Sequence, residues 1–166
     1  MTAASEGKTA TVTLPSDRQI LITREFDAPA HLVFKAFTTP ELVGRWWSAD
    51  MGETTLVAID LRVGGAWRYV MVTHDGVEVA FHGEYLEVVP NERLVSTEVY
   101  ENLPPDVPQE TAVNTATFTE ENGRTILTIL VTHSTREHRD GHLKSGMEGG
   151  LQKALHLLES VARGLA

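Results

Sequence analysis

The sequence predicts an α+β fold: a curved antiparallel sheet gripping a long C-terminal helix, with two short helices after the first long strand. Three observations lead there. Between Ser134 and Leu165, apolar residues recur at three- and four-residue steps: Leu143, Met147, Leu151, Ala154, Leu155, Leu158, Val161 and Leu165. From Thr54 the pattern instead has period two and keeps it up to that helix. Helical and strand patterns are segregated along the chain rather than alternating, which excludes a βαβ architecture.

The terminal segment reads as one helix of about 30 residues, ~45 Å long. Ser134 followed by Glu137 is a capping box at its start. Lys144, Glu148, Gln152, Lys153, Glu159 and Arg163 fall mostly off the apolar stripe. Gly146, Gly149 and Gly150 lie inside it, each costing about 1 kcal/mol against alanine. Close packing against a strand, or a kink that gates a pocket, would account for them. A stripe this long needs a broad apolar surface opposite it, which the sheet supplies.

The earlier elements follow in order. Residues 1–8 are small and polar and are expected to form a disordered tail, leaving 9–166 as a single domain. Thr9 to Leu14 and Gln19 to Phe26 read as a hairpin across Pro15-Ser16-Asp17, with Ile20, Ile22, Arg24 and Phe26 on one face of the second strand. Asp27-Ala28-Pro29 opens a helix over Ala30 to Phe37 that buries Val33, Phe34 and Phe37. Thr39-Pro40-Glu41 opens a second, through Trp46. Trp46 and Trp47 are adjacent and cannot both face one core, so one of them covers an edge or an opening.

Strands follow at Thr54 to Arg62, Ala66 to His74, Val77 to Val89 and Arg93 to Glu101, separated by Gly64-Gly65, Asp75-Gly76 and Pro90-Asn91-Glu92. A proline-rich loop spans 102–110 and is placed near the pocket. The last hairpin pairs Ala112 to Thr119 with Arg124 to His133. Arg68, His82 and Glu84 read as the solvated outer face, with cross-strand ion pairing.

Composition narrows the function. Hydrophobic residues make up 42% and charged residues 22% of the chain, as in an ordinary globular domain. There is no cysteine, so neither a disulfide framework nor a thiolate site is available. The net charge of −9, with basic residues scattered, argues against nucleic acid and anionic membranes as partners. No secretory signal or membrane-length apolar run is present, which predicts a cytoplasmic protein.

A curved sheet and a straight helix do not fit flush, so the interface between them is either filled by bulky side chains or left as a pocket. The inward face is expected to carry Trp67, Tyr69, Met71, Phe81, Tyr85 and Phe118, joined by Leu127, Ile129 and Val131. The helix adds Met147, Leu151 and Leu155, and Trp47 is a candidate for the rim. Among polar residues, Glu98, Tyr100 and His133 stand out. His133 is in phase with the inward residues of the last strand. The face taken by Glu98 is open, because one bulge in a neighbouring strand would reverse it. A buried Glu98–His133 pair could perform acid–base chemistry, or simply orient a ligand. His138 and His142 share a helix face at i, i+4, but Arg139 stands where a zincin has glutamate and no third ligand is evident. No metal and no cofactor is therefore expected.

The runs TLPSDRQILITREFDAPAHLVFKAFTTPELVGRWW, DLRVGGAWRYVM, VVPNERLVSTEVY and SGMEGGLQKALHLLESVA, in that order, resemble the blocks of the activator-of-heat-shock-protein-90-ATPase-like family, within the START-like (SRPBCC, Bet v 1-like) superfamily. The resemblance covers about Thr9 to Ala162. It implies the helix-grip fold and a cavity between sheet and helix. The co-chaperone that names the family carries an additional amino-terminal domain, for which no counterpart is expected here. Three functions are compatible with this reading. The first is a binding domain for an apolar or amphipathic small molecule. The second is a cyclase or hydrolase using Glu98 and His133. The third is a co-chaperone-like interaction domain with a chaperone contact. A monomer or a homodimer would serve any of them.

Overall fold

A computed structural model describes residues 8–166. The expected tail lies outside the described residues except for Lys8, whose ammonium sits 3.0 Å from Glu159 and also pairs with Asp27. Eight strands and four helices follow in order: β1 (Thr11–Thr13), β2 (Gln19–Phe26), α1 (Ala30–Thr38), α2 (Pro40–Val43), β3 (Gly52–Ile59), β4 (Ala66–Thr73), β5 (Glu78–Val89), β6 (Arg93–Tyr100), β7 (Ala112–Glu121), β8 (Arg124–Thr132), α3 (Arg136–Lys144) and α4 (Met147–Gly164). The strands form one antiparallel sheet in the order β1-β2-β8-β7-β6-β5-β4-β3. The α+β class and the grip of sheet on helix are as the sequence predicts.

The register fixes the concave face. Ile20, Ile22 and Arg24 of β2 lie opposite Val131, Ile129 and Leu127 of β8. These in turn oppose Asn114, Ala116 and Phe118 of β7. Ser96 pairs with Asn114 and Glu98 with Ala112, so Glu98 shares this face. Tyr100 opposes Phe81, which opposes Tyr69. The bulge in β5 falls between Tyr85 and Glu87. It comes after Phe81 and Tyr85 have paired with Tyr100 and Ser96, so the parity of Glu98 is preserved.

One half of the grip is packed solid. Phe26, Ile20, Val33, Leu127 and Leu158 are at most 1% exposed and form the centre of the core. Each such side chain contributes roughly 1.5–3 kcal/mol by leaving water. Helix α1 packs against α4 and against β7 and β8 at this end. Phe34 and Phe37 meet Phe118 edge-on at 5.4 and 5.7 Å.

Several elements differ from expectation. The terminal helix is two helices, not one. Gly146 adopts φ 80°, a left-handed conformation that residues with a Cβ take only at a cost, and α3 ends just before it at Ser145. The glycine that counted against a long helix is thus the break itself. The cap of α3 is Thr135 rather than Ser134: its hydroxyl accepts from the His138 amide at 3.1 Å. Ser134 instead donates its amide and hydroxyl to Glu110 at 2.7 and 3.1 Å. Glu159, placed off the apolar stripe by pattern, is 3% exposed because it meets buried Arg24. Helix α2 is only one turn and gives way to turns before Trp46. Strand β3 starts earlier and ends sooner than the alternation suggests, since a bulge between Thr54 and Leu56 shifts its phase.

Candidate functional site

The other half of the concave face is built differently. Tyr69, Phe81, Glu98, Tyr100, Asn114 and Ile129 point toward the helix side, yet all remain only half-buried. Leu143, Met147 and Leu151 of α3 and α4 are also half-buried and pack against the core cluster. Beside them the aromatic side chains lean on one another. Trp67 lies 4.8 Å from Tyr69, Trp47 meets Tyr69 and Phe81 edge-on at 5.3 and 5.8 Å, and Phe81 lies 4.9 Å from Tyr100. The two adjacent tryptophans divide as expected. Trp46 is buried, stacks on Phe37 and donates its indole N–H to the Ala36 carbonyl at 3.0 Å. Trp47 turns to the aromatic cluster. Trp67 is anchored by its indole N–H to the Thr97 carbonyl at 3.1 Å. Tyr85 and Phe118 are buried beside the cluster, and Met71 is buried near its outer end, beyond the main core.

Polar groups converge on this lining. Glu98 Oε1 accepts from the Asn114 side-chain amide. Burial pushes the Glu98 carboxyl above the ordinary range, against the pull of Asn114 and of His133. Burial likewise raises the Tyr69 and Tyr85 hydroxyls, and Tyr69 feels both Tyr85 and Glu98. The groups are therefore close together in a region poor in water.

A second polar cluster closes the neighbouring end. His133 Nδ1 bonds Glu110 at 2.9 Å and its Nε2 bonds His142 Nδ1 at 3.0 Å. With Glu110 ionised, Nδ1 of His133 carries the proton, and in the neutral rings Nε2 then accepts from His142. Burial, followed by the His133 charge, lowers His142 to about 4. Glu110 is pushed up by burial, but the Ser134 amide and His133 outweigh this and hold it below the usual range. His138 bonds the Pro108 carbonyl at 3.0 Å. The loop over 102–110 is thereby fastened to α3 through Pro108 and to the β8–α3 connection through Glu110. The two helical histidines part: His138 reaches the loop, and His142 reaches His133 just past the last strand.

Glu98 and His133 share the concave face but are not hydrogen-bonded to each other. Each has its own partner, Asn114 and Glu110 respectively. On the convex face Glu101 accepts from Arg68 at 2.9 and 3.0 Å and from His82 at 2.8 Å. These bonds, that from Arg68 foremost, hold its carboxyl at about 2. A shallow open depression of about 270 Å³ lies elsewhere, between α2 and the edge strand β3, lined by Pro40, Glu41, Gly44 and residues 54–57. It lacks the converging aromatic and buried polar groups of the concave face.

The profile described as "Activator of Hsp90 ATPase homolog 1-like protein" matches residues 27–163. The chain belongs to this family. Solved structures agree. A crystal structure of a protein from Nitrosomonas europaea is 28% identical and superposes with a TM-score of 0.78 over 91% of this chain and 97% of the other. One from Mycobacterium smegmatis is 28% identical, with a TM-score of 0.79 over 92% and 96%. One from Rhodobacter sphaeroides, 24% identical, shares the fold with a TM-score of 0.84 over 95% and 99%. No curated protein matches the chain in sequence.

For this member of the Hsp90-ATPase-activator-like family, sequence reasoning missed Asn114 and Glu110, and weighed His142 only as a metal ligand beside His138. Asn114 was within reach: it shares the parity of Ala112, Ala116 and Phe118, and a lone asparagine on the inward side of an apolar strand invites a partner. Glu110 sits in a loop without periodicity, and nothing local announces its bond to His133.

Proposed function

We propose that this protein is a cytoplasmic small-molecule-binding domain that holds an apolar or amphipathic ligand between the β4–β7 half of the sheet and the α3–α4 helices. One observation carries the reading: inward-facing Tyr69, Phe81, Glu98, Tyr100 and Asn114 are half-buried while the other end of the same face is packed solid. Aromatic and methionine side chains suit a variable apolar surface. Among the described residues no helix is long and apolar enough to cross a membrane, in keeping with this role.

The hydrogen bonding favours recognition over turnover. A general base needs a free lone pair aimed at its substrate. Both ring nitrogens of His133 are engaged, by Glu110 and by His142, and neither reaches Glu98.

Native mass spectrometry of the purified protein, followed by organic extraction, tests the proposal. A small molecule carried at near-stoichiometric amounts would support it and give the chemical class. An empty protein whose melting temperature is unmoved by a panel of lipids, polyketides and aromatics would overturn it.

A further inference from the structure

Four buried side-chain atoms have no hydrogen-bond partner among the described residues, Arg24 Nε and Nη2, Thr54 Oγ1 and Asn114 Oδ1, and the last belongs to the proposed pocket. The Asn114 side chain gives its N–H to Glu98, and its own Oδ1 is buried with no partner among the described residues. A buried acceptor left unpaired is costly, and native structures rarely tolerate one without a reason. The atom beside it is also an acceptor: Glu98 receives the amide on Oε1, and Oε2 has no side-chain donor among the described residues. The two lie on adjacent strands of the same concave face, since Glu98 pairs with Ala112 and Ser96 with Asn114. Beside them on the same concave face stand Tyr69, Phe81 and Tyr100.

Resting on the binding reading above, we infer that the pocket selects a ligand whose apolar, aromatic-sized body ends in a hydrogen-bond-donating cationic head, a primary ammonium, received by Glu98 and Asn114 Oδ1. Three features converge on that class. Both unfilled positions are acceptors, so the ligand must bring donors; an ammonium brings three. The Glu98 carboxyl has an amide rather than a cation as its hydrogen-bonding partner, and a cationic head would discharge it in place. Tyr69, Phe81 and Tyr100 on the same face supply an aromatic surface suited to a cation and an apolar body alike. An anionic head would meet a carboxylate and an unpaired carbonyl, and is excluded by like-charge repulsion.

Four probes of one skeleton decide it: phenethylamine, phenethyl alcohol, ethylbenzene and phenylacetate, titrated into the full chain with the intrinsic tryptophan fluorescence and ligand-observed NMR as readouts. The expected order is phenethylamine first, phenethyl alcohol next, ethylbenzene weaker by about tenfold or more, and phenylacetate last. Glu98→Gln and Asn114→Val should each remove the preference for phenethylamine while leaving ethylbenzene within about twofold. Equal binding of phenethylamine and ethylbenzene would leave the pocket standing and sink the head-group inference. So would phenylacetate binding best, or a preference that survives both substitutions. Binding of none of the four would overturn the inference together with the pocket beneath it.

Discussion

Arg24 of β2 and Glu159 of α4 meet at 3.1 Å inside the grip, 135 residues apart in the chain. Both are almost fully buried, at 2% and 3% exposure. Glu159 also accepts from the Asp27 amide at 2.7 Å and from Lys8 at 3.0 Å. One carboxylate thus ties the N-terminal segment, the strand-to-helix turn and the terminal helix together. Removing one partner of such a pair strands the other as an unpaired buried charge, which costs about 3–5 kcal/mol. Glu159→Ala should lower stability by that amount in urea denaturation. Glu159→Gln, which still accepts from the Asp27 amide, should cost less. A loss below about 1 kcal/mol for Glu159→Ala would mean that the guanidinium finds water, and that the pair is no linchpin.

The same groups set the response to acid. The Glu159 and Glu110 carboxyls lie below their ordinary values, because burial, which raises them, is outweighed by hydrogen bonds and nearby cations. A depressed carboxyl contributes stability that is present above its unfolded pKa and is lost as pH falls through the folded one. His142 works in the same direction. Folding holds it at about 4 against an ordinary 6.5, so the unfolded chain binds a proton first and stability declines from pH ~6.5 downward. Its contribution is at most about 3 kcal/mol. Melting temperature should therefore begin to fall below pH ~6.5, and faster below pH ~4.5. In His142→Asn the first part of that decline should vanish. A wild-type curve flat between pH 7 and 5 would contradict it.

What the sequence disclosed and what it hid divide along physical lines. Local periodicity announced every strand and both central helices. Parity along each strand then placed Trp67, Tyr69, Phe81, Tyr85 and Phe118 on one face without reference to partners. The pairing of β2 with β8 has no local signature, because its two strands are about a hundred residues apart and meet only when the sheet assembles. The polar network was hidden for the same reason. Glu159 has the sequence neighbourhood of a surface residue, and only Arg24, itself on an apolar strand face, gives it a reason to be inside. The break at Gly146 was half legible: glycine in a helix is a known cost, but whether it marks contact or termination depends on φ.

Two glycines close in sequence should respond to alanine in opposite ways. Gly146 holds φ 80° with no atom near an added Cβ, so Gly146→Ala meets no clash yet must adopt the left-handed conformation, at about 1–2 kcal/mol. Gly149 lies within α4 and an added Cβ there meets nothing within 4 Å. Gly149→Ala should stabilise by about 0.5–1 kcal/mol through helix propensity. Thermal denaturation of the two variants gives the signs. If both substitutions stabilise, α3 and α4 join into one helix in solution, as the sequence pattern alone suggests.

Glu98 should show a pocket's conflict between stability and function. Burial raises its carboxyl, so the folded state holds that proton more tightly than the unfolded state. The sign is then opposite to that of Glu159: ionised Glu98 costs stability at higher pH, and the cost fades as pH falls through the folded value. Glu98→Gln keeps an acceptor for the Asn114 amide and removes the charge. It should raise stability at pH 7, on the order of 1 kcal/mol, with the gain shrinking as the pH is lowered toward 4. The same substitution removes the group proposed to receive the ligand's head. A variant that is more stable yet binds less is what a preorganised, uncompensated site produces. If Glu98→Gln destabilises at pH 7, the carboxylate is satisfied within the protein. Nothing in the pocket would then be waiting for a donor from outside.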